Sequence, residues 1–189
     1  MIFKMESVLK FRRAEEKDTH QIYEISKSLK INYQQPQKNG FLVYLLEAED
    51  YKIRINNTDF FYVVVLKEKV HGFLMCYDNK ELNYLAKKEY LLHESEIINY
   101  VLNQKSPFIF GDQIGISHDN SRQGIGKLLM DKLFEDMKLR DIKRMFVAIL
   151  HKPIRNTASL KFCNSLGFEQ LTEVTNKDGL VWGVCKLEN

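Results

Sequence analysis

Cysteine and proline are scarce in this sequence. Its three cysteines, Cys76, Cys163 and Cys185, are spread over 189 residues without a CxxC pair. An odd and sparse set is typical of reduced thiols, so it predicts neither a disulfide framework nor a zinc site. Three prolines and nine glycines are too few for a long disordered tail or linker. We therefore expect a folded chain that needs no metal and no disulfide.

The chain also lacks a strong charge of one sign and a long apolar run. Lys and Arg exceed Asp and Glu by 28 − 25 = 3 charges, so we expect no nucleic-acid partner, whereas small anions stay open as ligands. The longest apolar stretches reach about half of the roughly 20 residues that span a bilayer. Met1–Arg13 is too polar for a signal peptide. The prediction is a cytoplasmic protein with no membrane partner.

Length and composition are those of one globular domain. The 189 residues are 44% hydrophobic and 28% charged, which is ordinary for a folded soluble chain. We therefore predict a single domain over residues 1–189. These quantities do not separate an enzyme from a binding module.

Hydrophobic patterns predict strands and helices that alternate along the chain. Two aromatic and β-branched runs, at 60–66 and 70–77, predict a hairpin. In chain order, the other predicted segments are a strand at 8–12, a helix after Asp18, a helix at 46–55, one or two helices within 81–102, a strand at 108–117, a helix at 125–140, a strand at 144–150, a helix at 156–166 that ends at Gly167, and closing strands around Val174 and at 180–187. This order predicts an α/β architecture in which helices are layered on a mixed sheet.

Two glycines at a strand-to-helix turn indicate a binding site. Residues 114–129 read IGISHDNSRQGIGKLL, and Gly124 and Gly126 allow a tight bend and a close approach of a ligand to the main chain. The first amides of the following helix have no partners within the helix and lie at the positive end of its dipole. Such a turn is suited to a phosphate or pyrophosphate, and Arg122 and Lys127 add positive charge.

Three motifs compete for this turn. A Walker A loop needs glycine at position 121 and a hydroxyl residue at 128, where Ser121 and Leu128 stand. A dinucleotide fingerprint needs a third glycine at position 129, where Leu129 stands. The pyrophosphate loop of a CoA-dependent acetyltransferase remains, beside the alternative of a glycine-rich helix start that binds nothing.

A second motif follows after one predicted helix and one predicted strand. Residues 156–168, NTASLKFCNSLGF, resemble the N-x-x-[AS]-x-x-[LF]-Y-x-x-x-G-F signature of the GNAT acetyltransferase superfamily, and 121–126 resemble its [QR]-x-x-G-x-G/A motif. The resemblance is good over about 108–168 and looser before that. It implies a three-layer GNAT-like fold, with a twisted, mixed, mainly antiparallel sheet of six to seven strands flanked by helices. It also implies an enzyme that transfers an acetyl group from acetyl-CoA.

The resemblance implies roles for particular residues. The main chain of Ile114, Gly115 and Ile116 would bind the pantetheine arm, and Gly115 independently indicates a bulge or a close backbone approach. The other implied cofactor-binding residues are the phosphate turn, Arg122, Gln123, Gly124, Ile125, Gly126 and Lys127, and the helix residues Asn156, Ser159 and Phe162. No metal is implied.

Two positions depart from the family pattern. Ser121 stands where the family usually has Gln or Arg, so that side-chain contact to the phosphates is lost. Cys163 stands where the family usually has the Tyr that protonates the CoA thiolate. The Cys163 thiol is therefore either a proton donor or a small buried hydrophobe, and a third alternative is that the thiolate leaves unassisted.

A general base is needed because amines are mostly protonated at neutral pH. His151 ends the predicted strand at 144–150, and histidine ordinarily changes its charge near neutral pH. Asp112 lies two residues before Ile114 and therefore on the same face of its strand. We favour His151 over Asp112 at this point.

The acceptor of the acetyl group is the least determined part of the prediction. Tyrosines and a phenylalanine within 30–45 and 79–106 either line a substrate pocket or only pack these segments: Tyr33, Phe41, Tyr44, Tyr84, Tyr90 and Tyr100. We expect direct attack by the primary amine of a small molecule in a ternary complex, by a monomer or homodimer. The alternatives are a CoA-binding regulatory module without chemistry, or an acetyltransferase of protein N-termini.

Overall fold

The computed structural model describes residues 9–34, 39–91 and 95–188. In chain order, its strands and α-helices are β1 (Lys10–Arg13), α1 (Thr19–Ser28), α2 (Ala48–Asn57), β2 (Phe61–Leu66), β3 (Lys69–Asp78), α3 (Asn79–Lys87), α4 (Ser95–Leu102), β4 (Ile109–Ile116), α5 (Ile125–Leu139), β5 (Arg144–Lys152), α6 (Thr157–Ser165), β6 (Glu169–Thr175) and β7 (Val181–Glu188). Each predicted segment corresponds to an element, with ends that differ by a few residues. Val8, in the first predicted strand, lies outside the described residues.

One sheet contains all seven of these strands, in the order β1-β2-β3-β4-β5-β7-β6. Neighbouring strands run antiparallel except β4 and β5, which are parallel. The sheet is therefore mixed and mainly antiparallel. This confirms the predicted fold class, an α/β architecture of six to seven strands flanked by helices.

Helices cover both faces of the sheet. On β2, Val63 and Val65 belong to the core that includes side chains of α1–α4, whereas Val64 belongs to the core that includes α5 and α6. Successive side chains of a strand point to opposite faces, so a strand buried on both faces has an uninterrupted apolar sequence. The run FYVVVL of β2 therefore reflects its position in the middle layer of three.

Strands β4 and β5 separate part of the way along β4. They pair only over Ile109–Gly111. On its other edge β4 stays paired with β3 as far as Ile116, but Asp112 is an extra residue inserted where β3 continues from Met75 to Cys76. Such a bulge bends the strand that carries it and increases its twist. A cleft therefore opens between β4 and β5 beyond Gly111.

Gly115 does not carry this bulge. A Cβ atom at Gly115 would lie 2.4 Å from Cε1 of Phe73, so the glycine is required because the aromatic ring of the neighbouring strand crosses it. Of the two alternatives that the sequence suggested, a bulge and a close approach, the bulge is therefore wrong at this position. The close approach is made by a side chain of the protein itself.

Neither a membrane-spanning helix nor a metal-binding cluster occurs in the described ranges. No helix within them is long and apolar enough to cross a membrane. No group of three or more His, Cys, Asp or Glu side chains in the same ranges is placed to hold a metal ion.

Candidate active site

A cavity of about 500 Å³ occupies the cleft between β4 and β5. Its walls come from both separated strands, from the start of α5, from α6, from residues 39–44 and from Trp182 of β7. Of the residues implicated from the sequence, those that line it are Asp112, Ile114, Ile116, Arg122, Gly124, Ile125, Gly126, Lys127, Asn156, Ser159, Phe162 and Cys163. Gly115, Gln123 and His151 do not line it. The folding of the chain thus brings the two sequence motifs to one cavity.

The glycine turn forms the start of α5. Gly124 has φ +81°, in the left-handed region, and a Cβ atom there would meet nothing within 4 Å. The first hydrogen bond of the helix runs from the Leu128 amide to the Gly124 carbonyl, at 3.0 Å, so the amides of residues 125–127 precede it. These amides and the positive end of the helix dipole are suited to an anion. The side chain of Gln123 instead donates to the Asp119 carbonyl.

The free edge of β4 faces the cavity. Residues 114–116 pair with β3 on one edge, while β5 has left the other edge beyond Gly111. An unpaired strand edge presents amide and carbonyl groups that an extended ligand can pair with. The predicted role of Ile114 and Ile116 in binding pantetheine is compatible with this edge.

Asn156 is held by the protein at both ends of its amide. Its Nδ2 donates to the Phe41 carbonyl at 2.9 Å, and its Oδ1 accepts from the Ser159 amide at 3.3 Å as the N-cap of α6. It therefore fixes α6 against residues 39–44, which form the opposite wall of the cavity. The predicted hydrogen bond from Asn156 to pantetheine would compete with these two internal bonds.

Asp112, on the bulge of β4, is the acidic side chain of the cavity wall within the described residues. The Tyr77 hydroxyl donates to its Oδ2 at 2.8 Å. Burial raises the pKa of Asp112, and the charge of Arg54 and the hydrogen bond from Tyr77 oppose that rise. The net direction is upward, which makes this carboxylate a stronger base than an exposed one.

Arg54 lies behind Asp112 and is only 2% exposed. Its guanidinium donates to the carbonyls of Asp50 and Tyr90, and no carboxylate of the described residues forms an ion pair with it. A second cavity of about 20 Å³, lined by both Arg54 and Asp112, has room for about one water molecule. The charge of Arg54 therefore acts on Asp112 across a small cavity that both residues line.

His151 is placed away from the cavity lining. It is the extra residue of a second irregularity, where β5 passes from Leu150 to Lys152 along β7. Its Nδ1 lies 2.7 Å from Oε1 of Glu173, and its ring covers Gly183, where a Cβ atom would be 2.4 Å from Nε2. Of the two residues predicted as general base, the structure thus places Asp112 on the cavity wall and His151 outside it.

Cys163 lines the cavity from α6. Burial raises its pKa to about 12. An ordinary thiol has a pKa of about 8.5, so Cys163 is a weaker proton donor than the thiol of a departing coenzyme would be.

Three residues of the site were missed at the sequence level. The sequence held a signal for Arg54. It follows Tyr51 by three residues and therefore shares the buried side of α2, where an arginine is uncommon. For Tyr77 and Trp182 the sequence held no such signal beyond the apolar runs of the strands in which they lie. Of the aromatic residues that were weighed as pocket or packing, Phe41 and Tyr44 line the cavity, whereas Tyr33, Tyr84, Tyr90 and Tyr100 do not.

A split mixed sheet with a helix N-terminus and a carboxylate at one cleft is an arrangement suited to group transfer from a phosphorylated carrier. A family model described as the acetyltransferase (GNAT) family matches residues 19–168. The chain belongs to the GNAT family and is therefore an acetyl-CoA-dependent acyltransferase.

Solved structures share this fold at low sequence identity. Ard1 from Thermoplasma volcanium has a TM-score of 0.69 at 12% identity, covering 95% of this chain and 97% of its own. Naa50 of Arabidopsis thaliana, in complex with the bisubstrate analogue CoA-Ac-MVNAL, has a TM-score of 0.65 at 13% identity, covering 96% of this chain and 99% of its own. The polyamine N-acetyltransferase of Drosophila melanogaster has a TM-score of 0.62 at 12% identity, covering 96% of this chain and 100% of its own. Comparison with curated proteins gives no match.

Proposed function

We propose that this protein transfers the acetyl group of acetyl-CoA to the primary amine of a small molecule by direct attack in a ternary complex. One observation carries the proposal: the glycine turn of α5 and the carboxylate of Asp112 line the same cavity. A diphosphate bound at the turn and an amine beside Asp112 would then share one continuous space. Direct attack requires such a shared space because both substrates must be present together.

Acetyl-CoA fits the groups that the cavity offers. The amides at the start of α5 would hold its phosphates, and the free edge of β4 would hold its pantetheine arm. When bound, it supplies an acetyl group activated as a thioester. An amide N–H on the cleft edge of residues 114–116 would donate a hydrogen bond to the carbonyl oxygen as negative charge develops on it, a contribution typically worth about 3 kcal/mol for one donor.

Asp112 is the general base of this proposal in place of His151. The carboxylate of Asp112 takes a proton from the bound ammonium group, and the freed lone pair of the nitrogen forms the C–N bond to the acetyl carbon. The C–S bond of the thioester breaks, CoA leaves as a thiolate, and the thiolate takes up the proton that the new amide nitrogen releases. The hydrogen bond from the Tyr77 hydroxyl engages Oδ2 of Asp112 and orients the carboxylate. His151 has its Nδ1 engaged by Glu173 and is absent from the cavity wall, which supports the choice of Asp112.

The test compares Asp112→Asn with His151→Asn across a panel of primary amines, by following thiol release from acetyl-CoA against pH. We expect Asp112→Asn to lower kcat/KM by about 100-fold or more and to remove the acidic limb of the profile, since general bases contribute about 10²–10⁴. His151→Asn should keep that limb.

Three results would argue against the proposal. If Asp112→Asn keeps the acidic limb of the pH profile, Asp112 is not the general base. Tight binding of acetyl-CoA without turnover of any amine would favour the regulatory-module alternative. Turnover of peptides alone would favour a protein N-terminal acetyltransferase.

A further inference from the structure

The end of the cavity opposite the phosphate turn has a charge pattern that limits what the acceptor can be. Besides Asp112, the His, Arg and Lys side chains among the described lining residues lie at the phosphate turn and in the loop before it: His118, Arg122 and Lys127. Beyond the turn, Asp112 is the only ionised side chain of the wall as far as it is described. A second ammonium group would therefore be desolvated without a partner, and burying an unpaired charge is costly.

A carboxylate on the acceptor would also be destabilised at this end of the cavity. It would lie close to Asp112, and like charges repel. Arg54 is not available to it at the surface of the cavity, because the guanidinium is buried and donates to the Asp50 and Tyr90 carbonyls.

Two aromatic side chains form the wall beside Asp112. The rings of Tyr44 and Trp182 are stacked, with centroids 5.7 Å apart and planes at 24°. The next residue after Asp112, Gln113, donates from Nε2 to the Tyr44 carbonyl at 3.3 Å and accepts at Oε1 from the Tyr51 hydroxyl. The aromatic wall is thus fixed directly to the bulge that carries the carboxylate.

A hydrogen bond closes the aromatic wall on its outer side. The Tyr44 hydroxyl donates to Oδ2 of Asp178 at 2.6 Å, so it joins residues 39–44 to the turn between β6 and β7. The backbone of an extended peptide would have to leave the cavity past this link. A small acceptor does not have to.

We infer that the acceptor is a primary amine on an apolar, uncharged body, and that Tyr44 and Trp182 determine this specificity by stacking on that body. The inference rests on the proposed function and narrows its substrate class. It ranks such amines above polyamines, whose second ammonium group would find no carboxylate on the described cavity lining other than Asp112, above amino acids, whose carboxylate would lie near Asp112, and above peptides, whose main chain would extend toward the hydrogen bond between Tyr44 and Asp178.

The experiment measures thiol release from acetyl-CoA with phenethylamine, tyramine, spermidine, agmatine, alanine and a pentapeptide with a free N-terminus. We expect kcat/KM for phenethylamine and tyramine to exceed the values for the other four at least 10-fold. Tyr44→Ala should raise KM for phenethylamine about 10-fold, with kcat within threefold of wild type and the Kd of acetyl-CoA unchanged. Because Tyr44 is only partly buried, this variant is expected to fold.

Two variants separate stacking from other effects. Tyr44→Phe keeps the ring but removes the link to Asp178, and its KM should stay within threefold of wild type. Tyr84→Ala removes an exposed tyrosine of α3 that does not line the cavity, and it should change nothing.

The outcomes distinguish the two proposals. A highest kcat/KM with spermidine, agmatine, alanine or the peptide overturns the acceptor class and leaves acetyl transfer intact. An unchanged KM in Tyr44→Ala overturns the role of the aromatic wall. If no amine is acetylated while acetyl-CoA still binds, the proposed function fails and the acceptor class fails with it.

Discussion

Two opposing influences set the basicity of Asp112. Burial raises its pKa, and the charge of Arg54 and a hydrogen bond from Tyr77 lower it. The balance matters for function, since a base must be ionised at the working pH and still hold a proton well. Individual residues around Asp112 should therefore move the pH dependence of the reaction without touching the substrate.

Tyr77→Phe removes the hydrogen bond that favours the ionised carboxylate, so we expect the pKa of Asp112 to rise. A higher pKa means that the carboxylate is protonated at pH values where it was ionised before. The acidic limb of the kcat/KM profile should then move to higher pH, with loss of activity on its acidic side and little change on its plateau.

Tyr62→Phe is a matched control for this variant. Tyr62 also donates its hydroxyl to a carboxylate, Oδ2 of Asp136 at 2.7 Å, but in the core on the α5 side of the sheet and outside the cavity lining. Its pH profile should match that of the wild type. An equal displacement in both variants, or none in Tyr77→Phe, would contradict the role given to Tyr77.

Cys163→Ala should leave acetyl transfer nearly intact. The pKa of Cys163 is raised to about 12 by burial, so its thiol donates a proton less readily than an ordinary thiol with a pKa of about 8.5. We expect the turnover rate to stay within threefold of wild type, and the free energy of unfolding to fall by about 1 kcal/mol because a small buried group is removed. A roughly 100-fold slower turnover at unchanged acetyl-CoA affinity would show instead that Cys163 is the acid.

At the level of elements, local sequence predicted which segments are helices and strands but not where a strand is irregular. The uninterrupted apolar run of β2 and the glycine that ends α6 are local signals, and both predicted their elements. The bulge of β4 depends on how β4 pairs with β3, which no local signal reports. Gly115 suggested a bulge but accommodates the ring of Phe73 instead, whereas the bulge lies at Asp112, directly after Gly111.

The geometry of the turn before α5 can be tested by substituting Gly124. Gly124→Ala places a side chain at φ +81°, which costs about 1–2 kcal/mol in an L-residue. The strain should displace the first amides of α5 and weaken acetyl-CoA binding about 10-fold. Isothermal titration measures the Kd, and urea unfolding measures the stability.

Gly179→Ala is the matched control. Gly179 has φ +82° with nothing within 4 Å of an added Cβ, but it lies in the turn between β6 and β7. It should lose similar stability and bind acetyl-CoA as tightly as the wild type does. Equal weakening by both variants would mean that lost stability, and not the geometry of the phosphate turn, accounts for the change.

At the scale of the whole molecule, the cofactor end of the site was predictable and the acceptor end was not. The glycine turn and the motif of α6 each lie within a short stretch of sequence. Arg54, Tyr77 and Asp112 come from three elements and meet only because β4 bends. The sequence favours His151 over Asp112 because His151 ends a predicted strand and histidine changes its charge near neutral pH, but its contact with Glu173 depends on β6, which lies beyond β7 in the sheet.

The central claim is that the cleft between β4 and β5 binds CoA through the start of α5. A thermal-shift titration with CoA, acetyl-CoA, ATP and NAD tests it most directly. A ligand present at 100 times its Kd adds about 2.7 kcal/mol to the stability of the folded state, so CoA and acetyl-CoA should each raise the Tm, and Gly124→Ala should reduce that rise. An equal rise with ATP or NAD, or no rise with either CoA species, would contradict the account.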